Sequence, residues 1–327
     1  MKLRASGRKG KTARSSGIGL FKKIHFLGIL AIFAAILAAT ILLNDRELLF
    51  AAVKKFPFYT FPLLLIPTAL SIVLRAFRWL LLLEEKERPQ EFKKTIQIIL
   101  ASSAISLVTP ARAGELARCF FLRNVSRTPF RKSIFSLIFE RLFDFSILLF
   151  LSVQGVFLLK QGTTALAFGT FLIGGVVAAT GISLTIPPFS TFLFRKILRD
   201  KGKRMERAVQ ATIRRPGFFL AAALSTAIWT VEFSRFYFVL FLLGAGTQGF
   251  FQVAQILSIS IIAGVVSTVP GGLGTSDLSA VALFSLVGVP VHQVSVALII
   301  DRLAGFWPVV FSGILVAPDL TKKNPTK

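Results

Sequence analysis

Apolar positions along this chain come in runs of about 20 residues with few charges among them, the length that crosses ~30 Å of hydrocarbon. Six such runs, Ile24–Leu43, Phe58–Leu83, Ser133–Leu159, Thr164–Pro187, Phe218–Leu243 and Val291–Val316, predict full membrane helices. Two further segments, Thr95–Leu122 and Phe251–Pro290, have another pattern. Each has apolar flanks of ~12–18 residues around a Pro/Gly break, short for two crossings and long for one. The second break reads STVPGGLGTSD at 267–277. Backbone that leaves helical geometry at membrane depth must be buried in protein or line a wet cavity, so both segments are expected to be re-entrant, broken-helix hairpins.

Laid on one another, the two hairpins match. Pro110 meets Pro270 and Gly114 meets Gly274 at an offset of 160, and Arg75 upstream meets Arg235 at the same offset. Downstream, Pro129 meets Pro290 and a little later ERLFDF (140–145) meets DRLAGF (301–306) at an offset of 161. Residues 58–159 and 218–318 thus read as two copies of one unit of helix, hairpin and helix. The rest divides into a basic tail at 1–23, a first helix and loop at 24–57, a linking helix and basic amphipathic segment at 160–217, and a tail at 319–327. The expected fold is an all-α, polytopic membrane protein with six full transmembrane helices and two re-entrant hairpins.

Charge changes this picture by giving it a direction. A net charge of +24 would suggest nucleic acid for a soluble protein. Here the predicted spans place 28 of the 39 Lys and Arg in the loops of one side and 4 in those of the other. Positive residues stay inside, so both termini are expected in the cytoplasm of a bacterial or archaeal cell, the protein being multi-pass in its inner membrane. The basic side then faces anionic lipid rather than nucleic acid. On this topology Arg75 and Arg235 lie on helices running in opposite directions, which makes the copies an inverted repeat, as in many secondary transporters. Segment Phe189–Arg215 spaces its apolar positions among nine Lys and Arg, as expected of a helix lying on anionic lipid or of a docking surface for a cytoplasmic lipid-modifying enzyme. Residues 1–23 are too basic for a cleaved signal, so Phe26–Leu43 reads as a retained helix.

Little catalytic chemistry is visible. The single Cys119 and the distant His25 and His292 hold out no metal site, and no cofactor is expected. No Walker A loop, GxSxG elbow or HExxH pair occurs, so no residue is assigned a catalytic role. The sharper signal is charge inside apolar segments, where each group needs a partner or a wet path. The substrate-binding candidates in the first copy are Arg112, Glu115, Arg118, Glu140 and Arg141. In the second copy they are Gly271, Gly272, Gly274, Thr275, Ser276, Asp277, Asp301 and Arg302. Arg75, Asp144, Glu232 and Arg235 stand as secondary candidates. Two readings remain open, structural ion pairs that hold the copies together, or a polar cavity for a phosphate-bearing headgroup.

Several pairings follow from spacing. Adjacent Glu140 and Arg141 point about 100° apart on a helix, as do Asp301 and Arg302, so the expected pairs run between copies, Glu140–Arg302 and Asp301–Arg141. Glu232 and Arg235 can pair locally. Asp144 has Gly305 as its counterpart, which would make one half acidic and the other roomy. Arg78 is adequately explained by snorkelling, and Trp79, Trp229, Trp307, Tyr59 and Tyr237 by interfacial anchoring. The second hairpin arm is expected to start near Thr275–Ser276, capped by Ser276 or Asp277, with its free N–H groups favouring an anion.

PARAGELAR (110–118), PGGLGTSD (270–277), ERLFDF and DRLAGFW together resemble the lysylphosphatidylglycerol synthase transmembrane-region family, or flippase-like membrane proteins, over about residues 70–318. In the two-domain synthetases of that family the membrane region moves aminoacylated phosphatidylglycerol to the outer leaflet, and a separate C-terminal domain makes that lipid. This chain runs to Lys327 without such a domain. The resemblance therefore implies translocation of a membrane phospholipid or lipid-linked headgroup rather than aminoacyl transfer. It does not carry over the cargo. The alternatives are an accessory subunit that presents lipid to a separate transferase and, after it, a phosphatidylglycerol lysyltransferase-like enzyme.

Overall fold

The computed structural model describes residues 46–158 and 210–321, apart from 108, 129, 211, 246, 247, 268, 270, 271 and 273, with backbone alone at 107, 110–112, 131, 132, 157 and 158. The predicted helices Ile24–Leu43 and Thr164–Pro187, and most of Phe189–Arg215, lie outside the described residues. Those described are helical, with no strand among them.

Helix α1 spans Arg46–Lys55. After a 3₁₀ turn, α2 spans Phe61–Leu82, its start tolerating Pro62 because the first-turn N–H groups have no helical partner in any case. Helix α3, Phe92–Leu107, leads through a 3₁₀ stretch, Pro110–Leu116, to α4, Ala117–Ser126. Helix α5 is Phe130–Leu158. The second stretch has the same order: α6 (Phe218–Leu242), α7 (Phe250–Val266), a break, α8 (Thr275–Leu286) and α9 (Val291–Asp301). Helix α9 runs through one π-helical turn, Arg302–Phe306, into α10, Trp307–Thr321. The expected helix–break–helix pattern therefore occurs at both places. The π turn falls on DRLAGF, whereas ERLFDF sits in the unbroken α5.

Two of these helices are long and apolar enough to cross a membrane, Phe58–Leu82 with its 3₁₀ turn and Val291–Thr321. The equally long α5 and α6 carry Glu140, Arg141, Asp144, Glu232 and Arg235, which lower their hydropathy. Large apolar side chains such as Ile66, Phe150, Phe219 and Leu315 are exposed on the outside of the bundle.

Packing crosses between the stretches. Arg75 meets Glu232, Arg78 meets Ser225, and Arg235 meets Thr68, so residue numbers rise on α2 as they fall on α6 and the two helices lie antiparallel. The first arm of each hairpin packs on the last helix of the other stretch, α3 on α10 and α7 on α5. Glycines permit the closest of these approaches. A Cβ on Gly155 would meet Gln255 Cβ at 2.9 Å, and one on Gly313 would run into the Leu100 carbonyl and Ala104. The breaks fold tightly on their first arms, since a Cβ on Gly114 would lie 2.5–2.6 Å from backbone atoms of Ile105 and Ser106. In the second break Gly272 and Gly274 adopt φ of 65° and 87°, a region that L side chains disfavour.

Gly114→Ala and Gly313→Ala should each destabilise the detergent-solubilised protein by about 1–3 kcal/mol, because the obstructing atoms include backbone that cannot rotate away. Unfolding midpoints of the two variants against the parent check this.

Candidate functional site

Twelve charged side chains meet where α2, α4, α5, α6, α8 and α9 converge. They are six arginines (75, 78, 118, 141, 235 and 302) and six carboxylates (Glu115, Glu140, Asp144, Glu232, Asp277 and Asp301). Formal charges cancel over this set. Exposure divides it into two layers.

The inner layer has almost no accessible surface. Arg78 Nη1 donates to Asp144 Oδ1 at 2.6 Å and to Ser225 Oγ at 2.8 Å, and its Nη2 reaches Glu140 Oε2 at 3.3 Å. Arg118 donates to the same Glu140 oxygen at 2.8 Å and stacks over Trp79, 5.2 Å from the ring centroid. Asp144 also accepts from Trp229 Nε1 at 3.1 Å. Arg78 therefore does not snorkel. It is fully buried, because two carboxylates of α5 lie within reach of its guanidinium and lipid headgroups do not. Trp79 and Trp229 are likewise buried, Trp79 donating to Ser136, so neither is an interfacial anchor; the polar end of each ring has a partner inside the bundle.

The outer layer faces a cavity of about 420 Å³ lined by both stretches of the chain. Arg75 lies 3.4 Å from Glu232, which Arg235 also holds at 2.9 Å, so the local Glu232–Arg235 pair forms as its spacing suggests. Arg235 binds Asp301 through two bonds of 2.7 and 3.2 Å. Arg141 spans Glu115 at 3.2 Å and Asp144 at 3.0 Å. Arg302 binds Asp277 at 2.7 Å and Ser276 at 3.1 Å.

The expected cross-copy pairs Glu140–Arg302 and Asp301–Arg141 are not formed. Each motif arginine instead reaches the acid just beyond the break in its own stretch, Arg141 to Glu115 and Arg302 to Asp277, while the motif acids Glu140 and Asp301 take arginines from α2, α4 and α6. The reason is reach: the hairpin's second arm lies against its own motif helix. Nor is the space beside Gly305 empty, for the Arg235 guanidinium fills it, 2.5 Å from where a Cβ would stand. At the start of α8, Asp277 accepts the Gly274 N–H at 3.0 Å, so the chain's own carboxylate occupies the helix end where an outside anion was expected.

Of the substrate-binding candidates, Glu115, Arg141, Gly272, Ser276, Asp277, Asp301 and Arg302 line the cavity. Arg118 and Glu140 do not; both sit behind its wall, where Glu140 pairs with Arg118 and with Arg78. Gly274 and Thr275 shape the break without lining the cavity. Gly271 and the Arg112 side chain lie outside the described residues. The four secondary candidates, Arg75, Asp144, Glu232 and Arg235, all line it. Sequence reading missed Thr68, Ser71, Ser103 and Ser260, small hydroxyl residues at the cavity wall that apolar runs conceal.

A helical membrane protein with a charge-lined cavity between two similar stretches is the class these features define. Its family is shown by similarity. The chain belongs to the lysylphosphatidylglycerol synthase TM region family, whose model matches residues 26–313. It is 25% identical over 279 residues to a UPF0104 membrane protein of Pyrococcus horikoshii, covering 76% of this chain and 83% of that one. It is 22% identical over 322 residues to a UPF0104 membrane protein of Methanothermobacter thermautotrophicus, covering 89% and 93%. A UPF0104 membrane protein of Methanocaldococcus jannaschii is 23% identical over 307 residues, covering 86% and 89%.

The two layers should respond differently to substitution. Arg78→Met leaves Asp144 and Glu140 short of a buried partner and should cost about 3–5 kcal/mol. Arg75→Met removes a longer contact at the cavity surface and should cost about 1 kcal/mol or less. Unfolding in detergent compares them, and equal losses would abolish the distinction between layers.

Proposed function

We propose that this protein is a lipid translocase whose central cavity carries a phosphate-bearing headgroup across the membrane by alternating access. The observation that supports it most is the outer layer of ion pairs. Inner-layer pairs suffice to hold helices together, whereas Arg75, Arg141 and Arg302 keep guanidinium surface open to a cavity of about 420 Å³. An arriving phosphate offers an arginine the same two-oxygen face as the carboxylate it replaces. The cargo class is an anionic, aminoacylated or isoprenoid-phosphate lipid, and no catalytic step is assigned.

The architecture that serves this mechanism is six full spans with two re-entrant hairpins in an inverted repeat. The antiparallel contact of α2 with α6 supports the inversion, since equivalent helices of a parallel repeat would run in one direction. With cytoplasmic termini, a cysteine at 126 in a Cys119→Ser background should label from the cytoplasm and one at 247 from outside. Labelling of both from one side would rule out the inversion.

The direct test is lipid movement in proteoliposomes. Fluorescent phosphatidylglycerol, its lysylated form, phosphatidylethanolamine and a polyprenyl phosphate are compared in the parent, Arg302→Ala and Asp301→Asn. One lipid class should move, with a loss of about tenfold or more in either variant, equivalent to about 1.4 kcal/mol of barrier. If the folded parent moves none of them, the translocase reading gives way to an accessory subunit that presents lipid to a transferase.

A further inference from the structure

Four arginines and five carboxylates line the cavity. Asp144 is answered by Arg78 behind the wall, so the rest balance at four to four among the described side chains. Each of the four arginines already touches a carboxylate. An anion that enters this cavity therefore meets no spare cation among them. It takes an arginine only by displacing a carboxylate, and a carboxylate displaced inside the bundle needs a new partner or a proton.

The exchange is easiest at one place. Arg75, Glu232, Arg235 and Asp301 form a chain of alternating charge that sums to zero. Arg75 stands at its open end, with a single contact of 3.4 Å to Glu232, whereas the other three cavity arginines each hold a carboxylate at 3.0 Å or less. At the far end Asp301 is fixed, accepting from Arg235 Nε at 2.7 Å and from Nη2 at 3.2 Å. Glu232, between the arginines, meets only Nη1 of Arg235, at 2.9 Å, and shares that atom with Thr68 Oγ1. A phosphate that takes Arg75 leaves two carboxylates on one guanidinium, and Asp301 holds its two-pronged edge. The surplus negative charge is removed by one proton, and Glu232, the less firmly held, is the group placed to accept it.

The surroundings fit both states of Glu232. Facing it are Arg235 on its own helix, Arg75 and Ser71 on α2, and Asp301 of α9 across Arg235. From α5 comes Asp144, which Arg75 also faces but which Arg78 and Arg141 hold, and α7 carries no titratable side chain. Arg302 lies beside Asp301 and is engaged by Asp277 at 2.7 Å. Ser71 donates its own hydrogen to the Thr68 carbonyl at 3.0 Å, so its oxygen is able to accept from a protonated Glu232.

We infer that a phosphate-bearing headgroup enters this cavity together with one proton: the phosphate binds Arg75, and Glu232, released from Arg75, takes the proton. The O–H bond forms at a Glu232 carboxylate oxygen with a proton from water, and it breaks when the phosphate leaves and Arg75 returns. This rests on the proposed headgroup path and goes beyond it by naming a co-substrate and its carrier. A monoanionic headgroup with its proton adds no net charge, so the empty and loaded cavities are equally neutral and a pH gradient can drive both across together.

Dibutyl phosphate, a phosphodiester that stays a monoanion, serves as the probe. It is titrated calorimetrically into the full-length protein in a neutral detergent free of phospholipid, in buffers of different ionisation enthalpy, which counts the protons taken up per anion bound. The parent should take up about one, its affinity falling about tenfold per pH unit between about pH 6 and about pH 8. Glu232→Gln, fixed in the neutral form, should bind the anion without proton uptake and with an affinity that no longer varies with pH. Glu232→Asp should keep the uptake but displace the pH range over which it occurs, and it decides the matter where Glu232→Gln does not fold. Failure of the parent to bind, binding without a proton, dependence on sodium or potassium in place of the proton, uptake that survives Glu232→Gln, or an unshifted profile in Glu232→Asp would each overturn the inference. The readout is separate from lipid movement. Proton-linked binding in a protein that moves no lipid keeps the carrier and removes the translocase, whereas lipid movement with proton-free binding does the reverse.

Discussion

A guanidinium with no accessible surface can stand among apolar helices only if its charge is cancelled on the spot, and Arg78 stands in that position. Its partners, Asp144 and Glu140, both come from α5, and Glu140 in turn holds Arg118 from α4. One buried cluster therefore sets where α2, α4 and α5 lie relative to each other. Ser225 and Trp229 extend it to α6 by donating or accepting single hydrogen bonds. Moving any of these helices by one turn would leave a charge alone in the bundle.

Around that fixed point, small residues decide how close the rest can come. Gly155 and Gly313 let the last helix of each stretch meet the hairpin of the other at near-backbone distance. Gly272 and Gly274 let the second break reverse on itself, so that Asp277 reaches back to the Gly274 N–H and outward to Arg302. The π turn at Arg302–Phe306 belongs to the same arrangement. Ala304 there offers its carbonyl to Thr68, and Gly305 makes room for Arg235. Hairpin, motif and first helix thus meet through polar contacts in a region that is otherwise packed by apolar side chains.

The balance of six arginines and six carboxylates bears on function. A cavity that was strongly positive would hold a phosphate tightly and release it slowly, while a cavity of paired charges exchanges one anion for another. The exposed layer suits exchange, and the buried layer suits permanence. Both original readings of the intramembrane charges therefore have residues to which they apply: structural pairing describes Arg78, Arg118 and Glu140, and a headgroup path is proposed for Arg75, Arg141 and Arg302.

Apolar run lengths, the Pro/Gly breaks and the recurring acid–Arg–Leu motif are local properties of the chain, and from them the described helices other than α1, which falls in a stretch read as a loop, both breaks, the start of α8 at Thr275 and the family could be read directly. The charged residues that line the cavity were also visible, because a charge in a greasy segment is conspicuous wherever it ends up facing. Which charge meets which was not legible. Helical spacing relates residues three or four apart, so it found Glu232–Arg235, but Arg78–Asp144 and Arg302–Asp277 join residues 66 and 25 positions apart. Sequence symmetry suggested that the motif charges pair between copies, but each motif arginine meets an acid of its own stretch because each hairpin's second arm lies against its own motif helix. The division into buried and cavity-facing charge likewise depends on where packing leaves a void, a property of the assembled helices that no single segment carries.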